Sequence, residues 1–349
     1  MRIRTAIAIS LLVSGCSGSG SDGAGDTGTA GTSDAGTMGT TGTGGTTVGG
    51  TATSASTGPA ATDSSGAGST TGAGSSTGSS TGGGDPVCDR WNADRANLSE
   101  GTWTGSLDTC DPGDLTDGGR QRALAVVNLY RFLADLPPVT DDAARNQKTQ
   151  ACALMMDKNG MLSHNPPMSW ACYSAEGAEA AGKSNIALGV GAVASVDLFM
   201  VDPGNATTLG HRRWILSNSL GPIGLGGTPG AACMWVLGGS GDAGKPYVAW
   251  PPAGKFPLQA VAPNWTGIDE TGWSIQSDAI DLSGAQVTIT KDGAPLPVSV
   301  TQLSGGYGSQ YAISMIPQGW NTTPGTYHVE VMGVATPIAY DVEVVDCGG

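Results

Sequence analysis

Along the chain the spacing of apolar positions changes character twice. Leu124, Val127, Tyr130 and Ala134 recur at helical spacing, with Thr116 or Asp117 available as a cap and Pro137-Pro138 as a stop. A second helix is predicted from Thr140-Asp141-Asp142, with Ala144, Ala151, Leu154 and Met155 on one face and Asn159-Gly160 as a left-handed close. A third apolar stretch runs from Ala192 to Met200 and ends at Asp202-Pro203-Gly204. Two short strands follow, Ile223-Gly224-Leu225 and Cys233 to Leu237, around the turn Thr228-Pro229-Gly230.

After Pro251-Pro252 the period falls to two. Runs such as Gln286 to Thr290, Val298-Ser299-Val300, Thr326 to Val331 and Ala339 to Val344 alternate, with turn residues such as Asp292-Gly293 between them. Together these patterns predict an α+β protein: an α-β-α sandwich over residues 87–249, then an all-β, immunoglobulin-like sandwich over 250–349, with the boundary near Trp250.

The first 86 residues follow neither pattern. Arg2 and Arg4 precede an apolar run from Ala6 to Val13, the layout of an export signal too short to remain as a membrane span. It ends in Leu12-Val13-Ser14-Gly15-Cys16, which resembles a bacterial lipobox, so residues 1–16 read as a lipoprotein signal with Cys16 as the acylated residue. Ser17 after that cysteine resembles lipoproteins that pass on to an outer membrane or cell surface. Residues 17–86 are Gly, Ser, Thr and Ala with sparse Asp, a composition that cannot bury enough surface to offset its ordering entropy. Such a tether has a root-mean-square span of about 45 Å.

The 57 glycines of the 349-residue chain are densest in that tether, which holds 22 of them in 70 residues, and the remainder reads as of ordinary globular composition. The formal net charge of −14 and the single tight basic pair, Arg212-Arg213, argue against a nucleic-acid partner. Setting Cys16 aside leaves Cys88, Cys110, Cys152, Cys172, Cys233 and Cys347, an even set that favours disulfides in an exported chain. Sequence neighbours suggest Cys88–Cys110, Cys152–Cys172 and Cys233–Cys347. No CxxC spacing occurs and only 3 histidines are present, which argues against zinc knuckles.

Two of those histidines have distinctive settings: His164 in Leu162-Ser163-His164-Asn165-Pro166 and His211 in Gly210-His211-Arg212-Arg213-Trp214-Ile215-Leu216. In order with these run Val127-Asn128-Leu129-Tyr130-Arg131, Leu136-Pro137-Pro138-Val139, Lys183-Ser184-Asn185-Ile186-Ala187 and Phe199 to Gly204. The ordered series resembles the CAP superfamily of cysteine-rich secretory, antigen 5 and pathogenesis-related-1 proteins, over about Leu124 to Leu237. The arrangement is most similar to bacterial members, some of which carry a downstream sandwich like the segment containing Gly305-Gly306-Tyr307-Gly308.

The resemblance implies a cleft lined by His164 and His211, with acidic partners able to hold a divalent cation. Ser184 stands at the first acidic position, followed by Asn185, and Asp202 falls near the second. Glu176 and Glu179 lie upstream as substitutes or as solvated loop charges. What the resemblance implies about function is a non-catalytic module binding lipids, small hydrophobic ligands or envelope partners, held to the membrane by its lipid anchor. A metal-dependent hydrolase using the same histidines with Asp202 is the alternative, and a structural or adhesive surface protein acting through its β module is a second. Serine hydrolysis is excluded because adjacent Ser163 and His164 cannot point at one another and no Gly-x-Ser-x-Gly elbow occurs. Trp170, Trp214, Trp235, Trp265 and Trp273 are expected to serve packing.

Overall fold

The computed structural model describes residues 84–264 and 266–348, together with the backbone of Val13–Ser14. Cys16, the tether up to residue 83 and Trp265 lie outside the described residues. The described residues from Gly84 onward belong to one compact unit.

The described helices are α1 (Pro86–Arg95), α2 (Gly119–Leu133), α3 (Ala143–Asn159), α4 (Ala175–Ala181), α5 (Ala192–Val201), α6 (Gly210–Ile215) and α7 (Ile268–Thr271). Local chemistry sets their ends. The Asp142 carboxylate accepts from Arg145 N at 2.8 Å to start α3, and Gly160, at φ 60°, closes it. Helix α2 begins at Gly119 behind a left-handed Gly118 without a side-chain cap, so neither Thr116 nor Asp117 plays the capping role expected of it.

The strands are β1 (Val13–Ser14), β2 (Thr102–Trp103), β3 (Leu115–Thr116), β4 (Ser184–Leu188), β5 (Gly224–Gly227), β6 (Ala231–Trp235), β7 (Val248–Trp250), β8 (Gly254–Pro257), β9 (Trp273–Ser277), β10 (Gln286–Lys291), β11 (Ala294–Leu296), β12 (Val298–Gln302), β13 (Tyr311–Pro317), β14 (Gly325–Met332) and β15 (Ile338–Val345). The first main sheet has the antiparallel order β1-β4-β6-β5. On one face Cys152, Met155 and Met156 of α3 and Ala180 of α4 pack against Ile186 and Cys233. Ala187, Leu225 and Met234 instead join the core built by α2 and α5 through Val126, Leu129, Val196 and Phe199. Because side chains alternate along a strand, β4 and β6 feed both cores.

The second half is built from two further sheets, ordered β11-β10-β14-β15-β8 and β12-β13-β9-β7. Alternate burial along β14 and β15 leaves the first with one wet face. Strands β7 and β9 are buried at every position. Their sheet meets the other sandwich sheet through Trp273 and Tyr327, whose rings are 5.4 Å apart, and meets the helical half on its far side. The predicted boundary near Trp250 therefore does not separate two compact units. Strand β7, which precedes it, hydrogen-bonds to β9, and one core cluster runs from Trp91 to Cys347. The architecture is mixed α/β with mainly antiparallel sheets; β8 alongside β15 is a parallel pair.

The disulfide pairing differs from the expected one. Cys88 joins Cys347, Cys110 joins Cys172 and Cys152 joins Cys233. The reason is placement. Helix α1 lies by the end of β15, where Asn92 Nδ2 donates to Cys347 O at 3.1 Å. Cys152 faces inward from α3 onto β6, whereas Cys172 lies in the loop beyond Gly160, against the segment carrying Cys110. Sequence neighbours are thus on different surfaces. Disulfides of this kind persist in oxidising compartments, as in an extracellular or secreted protein. Among the described residues no helix is long and apolar enough to cross a membrane.

Two predictions arise from this packing. Non-reducing peptide mapping should recover the three pairs above, and Cys88→Ala with Cys347→Ala should cost about 4–5 kcal/mol, since that bridge closes nearly the whole folded chain. The Tyr340 hydroxyl is buried with no hydrogen-bond partner among the described residues, and burial raises its pKa far above the usual phenol value. A raised folded-state pKa contributes stability that is complete below about pH 10 and is lost as pH rises beyond it. Tyr340→Phe should therefore stabilise by about 1 kcal/mol at pH 7, with an advantage that grows above pH 10 in urea melts; an advantage that shrinks there would contradict the assignment.

Candidate functional site

Helix α5 ends at Asp202, held left-handed at φ 60°. This conformation is uncommon for a residue with a Cβ, though Asp tolerates it better than most. It turns the carboxylate towards the start of α6, whose capping position, Leu209, supplies no side-chain bond. Asp202 Oδ2 accepts from His211 N at 3.0 Å and from Arg212 N at 3.4 Å. Asp202 Oδ1 accepts from Asn205 Nδ2 at 2.7 Å and lies 2.7 Å from His211 Nδ1. The short last contact places the imidazole proton on Nδ1, donated to the carboxylate. Phe199 lies beside the ring, with centroids 5.0 Å apart. The Asp202 carboxylate thus both caps a helix and orients a histidine, and both residues are 0% exposed.

The segment leading into β4 connects the remaining expected residues. His164 Nδ1 donates to Ala181 O at 2.8 Å, and Asn185 Nδ2 donates to His211 O at 3.1 Å. Both histidines are fastened to residues 181–185, at opposite ends. Ser184 and Asn185 are fully buried, with Ser184 opposite Trp235 and Asn185 opposite Met234 in the sheet, while His164 is half-buried. Of the upstream acids, Glu179 pairs with Lys148 and Lys183, and those hydrogen bonds lower its pKa; Glu176 sits in the first turn of α4.

These residues do not fit a resident divalent cation. Ser184 brings a neutral hydroxyl where a carboxylate is wanted, the Asp202 oxygens are engaged by four donors, and among the described residues no three His, Cys, Asp or Glu side chains are grouped to hold a metal.

The two arginines after His211 are the larger surprise. Arg212 and Arg213 are buried, and neither side chain bonds a carboxylate. Arg212 donates from Nε to Met200 O, from Nη1 to Gly272 O and Ser274 Oγ, and from Nη2 to Val201 O and Thr271 Oγ1. Arg213 donates to Thr208 O, Ser304 O, Ser309 O and Ser309 Oγ. Burial lowers each guanidinium to about 10, yet all five N–H groups of each fork find an acceptor. The pair therefore ties the helical half to the sandwich.

Two glycines permit this approach. A Cβ on Gly210 would lie 2.7 Å from Tyr307 Cδ1, and one on Gly308, at φ 76°, would lie 2.5 Å from Arg213 O. The Gly210-His211-Arg212-Arg213 block and the Gly305-Gly306-Tyr307-Gly308 block, widely separated in sequence, interlock. Asn205 and Ser309 were not singled out by sequence; their only signal is position beside Asp202 and Tyr307. The tryptophan expectation holds for Trp235 and Trp273, which are buried, while Trp170 and Trp214 are half-buried against the cores.

No family model matches the chain, and no curated protein matches it.

His211→Ala, which leaves Asp202 buried without its ring partner, should lower stability by about 3 kcal/mol in denaturant melts. Arg212→Met keeps most of the volume but orphans five acceptors, so it should cost at least about 3 kcal/mol. Calorimetry of the wild type should show one transition and Arg212→Met two; two transitions in the wild type would refute the coupling.

Proposed function

We propose that the chain is an exported, lipid-anchored envelope protein of CAP type with an immunoglobulin-like C-terminal sandwich, acting as a non-catalytic binding module for an apolar small molecule or an envelope component. The observation that carries this reading is the fastening of both histidines to the one segment, residues 181–185, that enters the sheet covered by helices on both faces. His164 is the half-exposed member, so it is the side that meets a ligand. Binding is favoured over catalysis because the Asp202–His211 pair is sealed from solvent and its carboxylate is occupied in capping α6. Three disulfides support export.

The test is a thermal-shift and equilibrium-dialysis screen of fatty acids, sterols and peptidoglycan fragments on the full chain. A ligand should raise the melting temperature by several degrees, and His164→Ala should weaken it at least tenfold while its own melting temperature stays within about 2 °C of wild type. Unchanged affinity in His164→Ala, or turnover of an ester, peptide or glycan by the purified wild type, would overturn the reading. Acylation is tested separately: metabolic palmitate labelling should disappear in Cys16→Ala.

A further inference from the structure

Among the described residues five large apolar side chains are exposed: Leu98, Phe132, Met161, Met168 and Met332. Two of them, Met161 at 50% and Met168 at 75%, share the loop that follows α3. From Asn159 to Ala175 the chain carries no Asp, Glu, Lys or Arg, although the protein's net charge is −14. The outward positions of this loop are Gly160, Met161, Asn165, Pro167, Met168, Ser169 and Ala171.

The loop is not slack. Asn159 clamps its ends, with Nδ2 donating to Ala171 O at 3.0 Å and Oδ1 accepting from Ala171 N at 3.1 Å. Cys172 is bridged to Cys110, and His164 holds Ala181 O. Leu162, Trp170 and Tyr173 turn inward onto the core of α3 and α4, and Pro166 is buried. A rigid, closed loop therefore holds two methionines out in water, where apolar side chains carry a hydration cost that a folded protein ordinarily avoids by clustering them inside.

We propose that the tip of this loop, Met161 and Pro167-Met168, is a lipid-contact site that dips into the headgroup region of a bilayer. Three features favour a membrane over a protein partner. Two exposed methionines and a proline are too few side chains to bury the about 800 Å² per partner of a stable protein interface. The absence of charge across the loop removes any need to neutralise ions on entering the interface. The half-buried Trp170 beside Met168 is the kind of amphipathic ring favoured at that depth. The inference rests on the envelope reading only for its biological setting, since a chain held by Cys16 on a tether of about 45 Å keeps the loop within reach of the bilayer. Contact at the loop does not depend on that acylation.

The experiment uses the full chain with Cys16→Ala, which removes the anchor, and phosphatidylcholine vesicles. Hydrogen peroxide oxidation of methionines is followed by mass spectrometry, with exposed Met332 of β14 as an internal reference. Vesicles should slow sulfoxide formation at Met161 and Met168 at least threefold and leave Met332 unchanged. Met161→Asp with Met168→Asp should lower vesicle partition at least tenfold with an unaltered melting temperature. Equal protection at Met332, or equal partition by the double variant, would overturn the proposal. Protection that rises with protein concentration in the absence of vesicles would assign the loop to a second copy, also overturning it. Because the readout involves neither a cleft ligand nor Cys16, its failure is distinguishable from failure of the proposed function.

Discussion

The fold turns on two guanidinium groups. Arg212 and Arg213 occupy the space between the helical half and the sandwich, where each would be costly without its acceptors. Burial disfavours their charge, and carbonyls and hydroxyls from α5, α7 and the turn after it, β9 and the loop before β13 compensate, with the nearby Asp202 charge adding to them. Neither half can satisfy them alone. Arg212 needs Gly272 and Ser274 from one half and Met200 from the other, so guanidinium hydrogen bonds fix the halves relative to each other alongside the apolar core they share.

The same requirement explains the neighbourhood. Asp202 must stay left-handed to reach the N–H groups of α6, because only then does α6 aim Arg212 at the sandwich. His211 completes the carboxylate's bonding, and Asn185 ties the α6 backbone to β4. A motif that sequence presents as a candidate site is, in three dimensions, a joint with one histidine inside it. The half-exposed His164 stands outside the joint but holds the same strand entrance.

Much of the helical half was legible because its signals are local. The apolar spacing through α2 and α3, the Asp142 cap, the Gly160 close and the stop at Asp202 depend on neighbours within a turn or two. The alternation in β10, β14 and β15 was legible because one face of that sheet is wet. Strand β7, Val248-Ala249-Trp250, carries no alternation, and the polar positions of β9, Ser274 and Gln276, are buried against Arg212 and the carbonyls of Arg213 and Leu216 rather than facing water, which hid the middle layer. Cysteine pairing failed for a related reason: proximity in sequence does not track proximity across a core.

By itself, then, the sequence determined the long helices, the alternating strands of the outer sheet and the oxidised cysteines, all of which follow from short-range periodicity and composition. Tertiary structure alone decided what the residues around His211 do. In the sequence the two arginines after His211 stand only as a tight basic pair, and the acceptors that tie them to the sandwich come from residues 59 to 96 positions away. Long-range hydrogen bonding, which has no periodicity to leave in the chain, sets Arg212 and Arg213 in a buried joint.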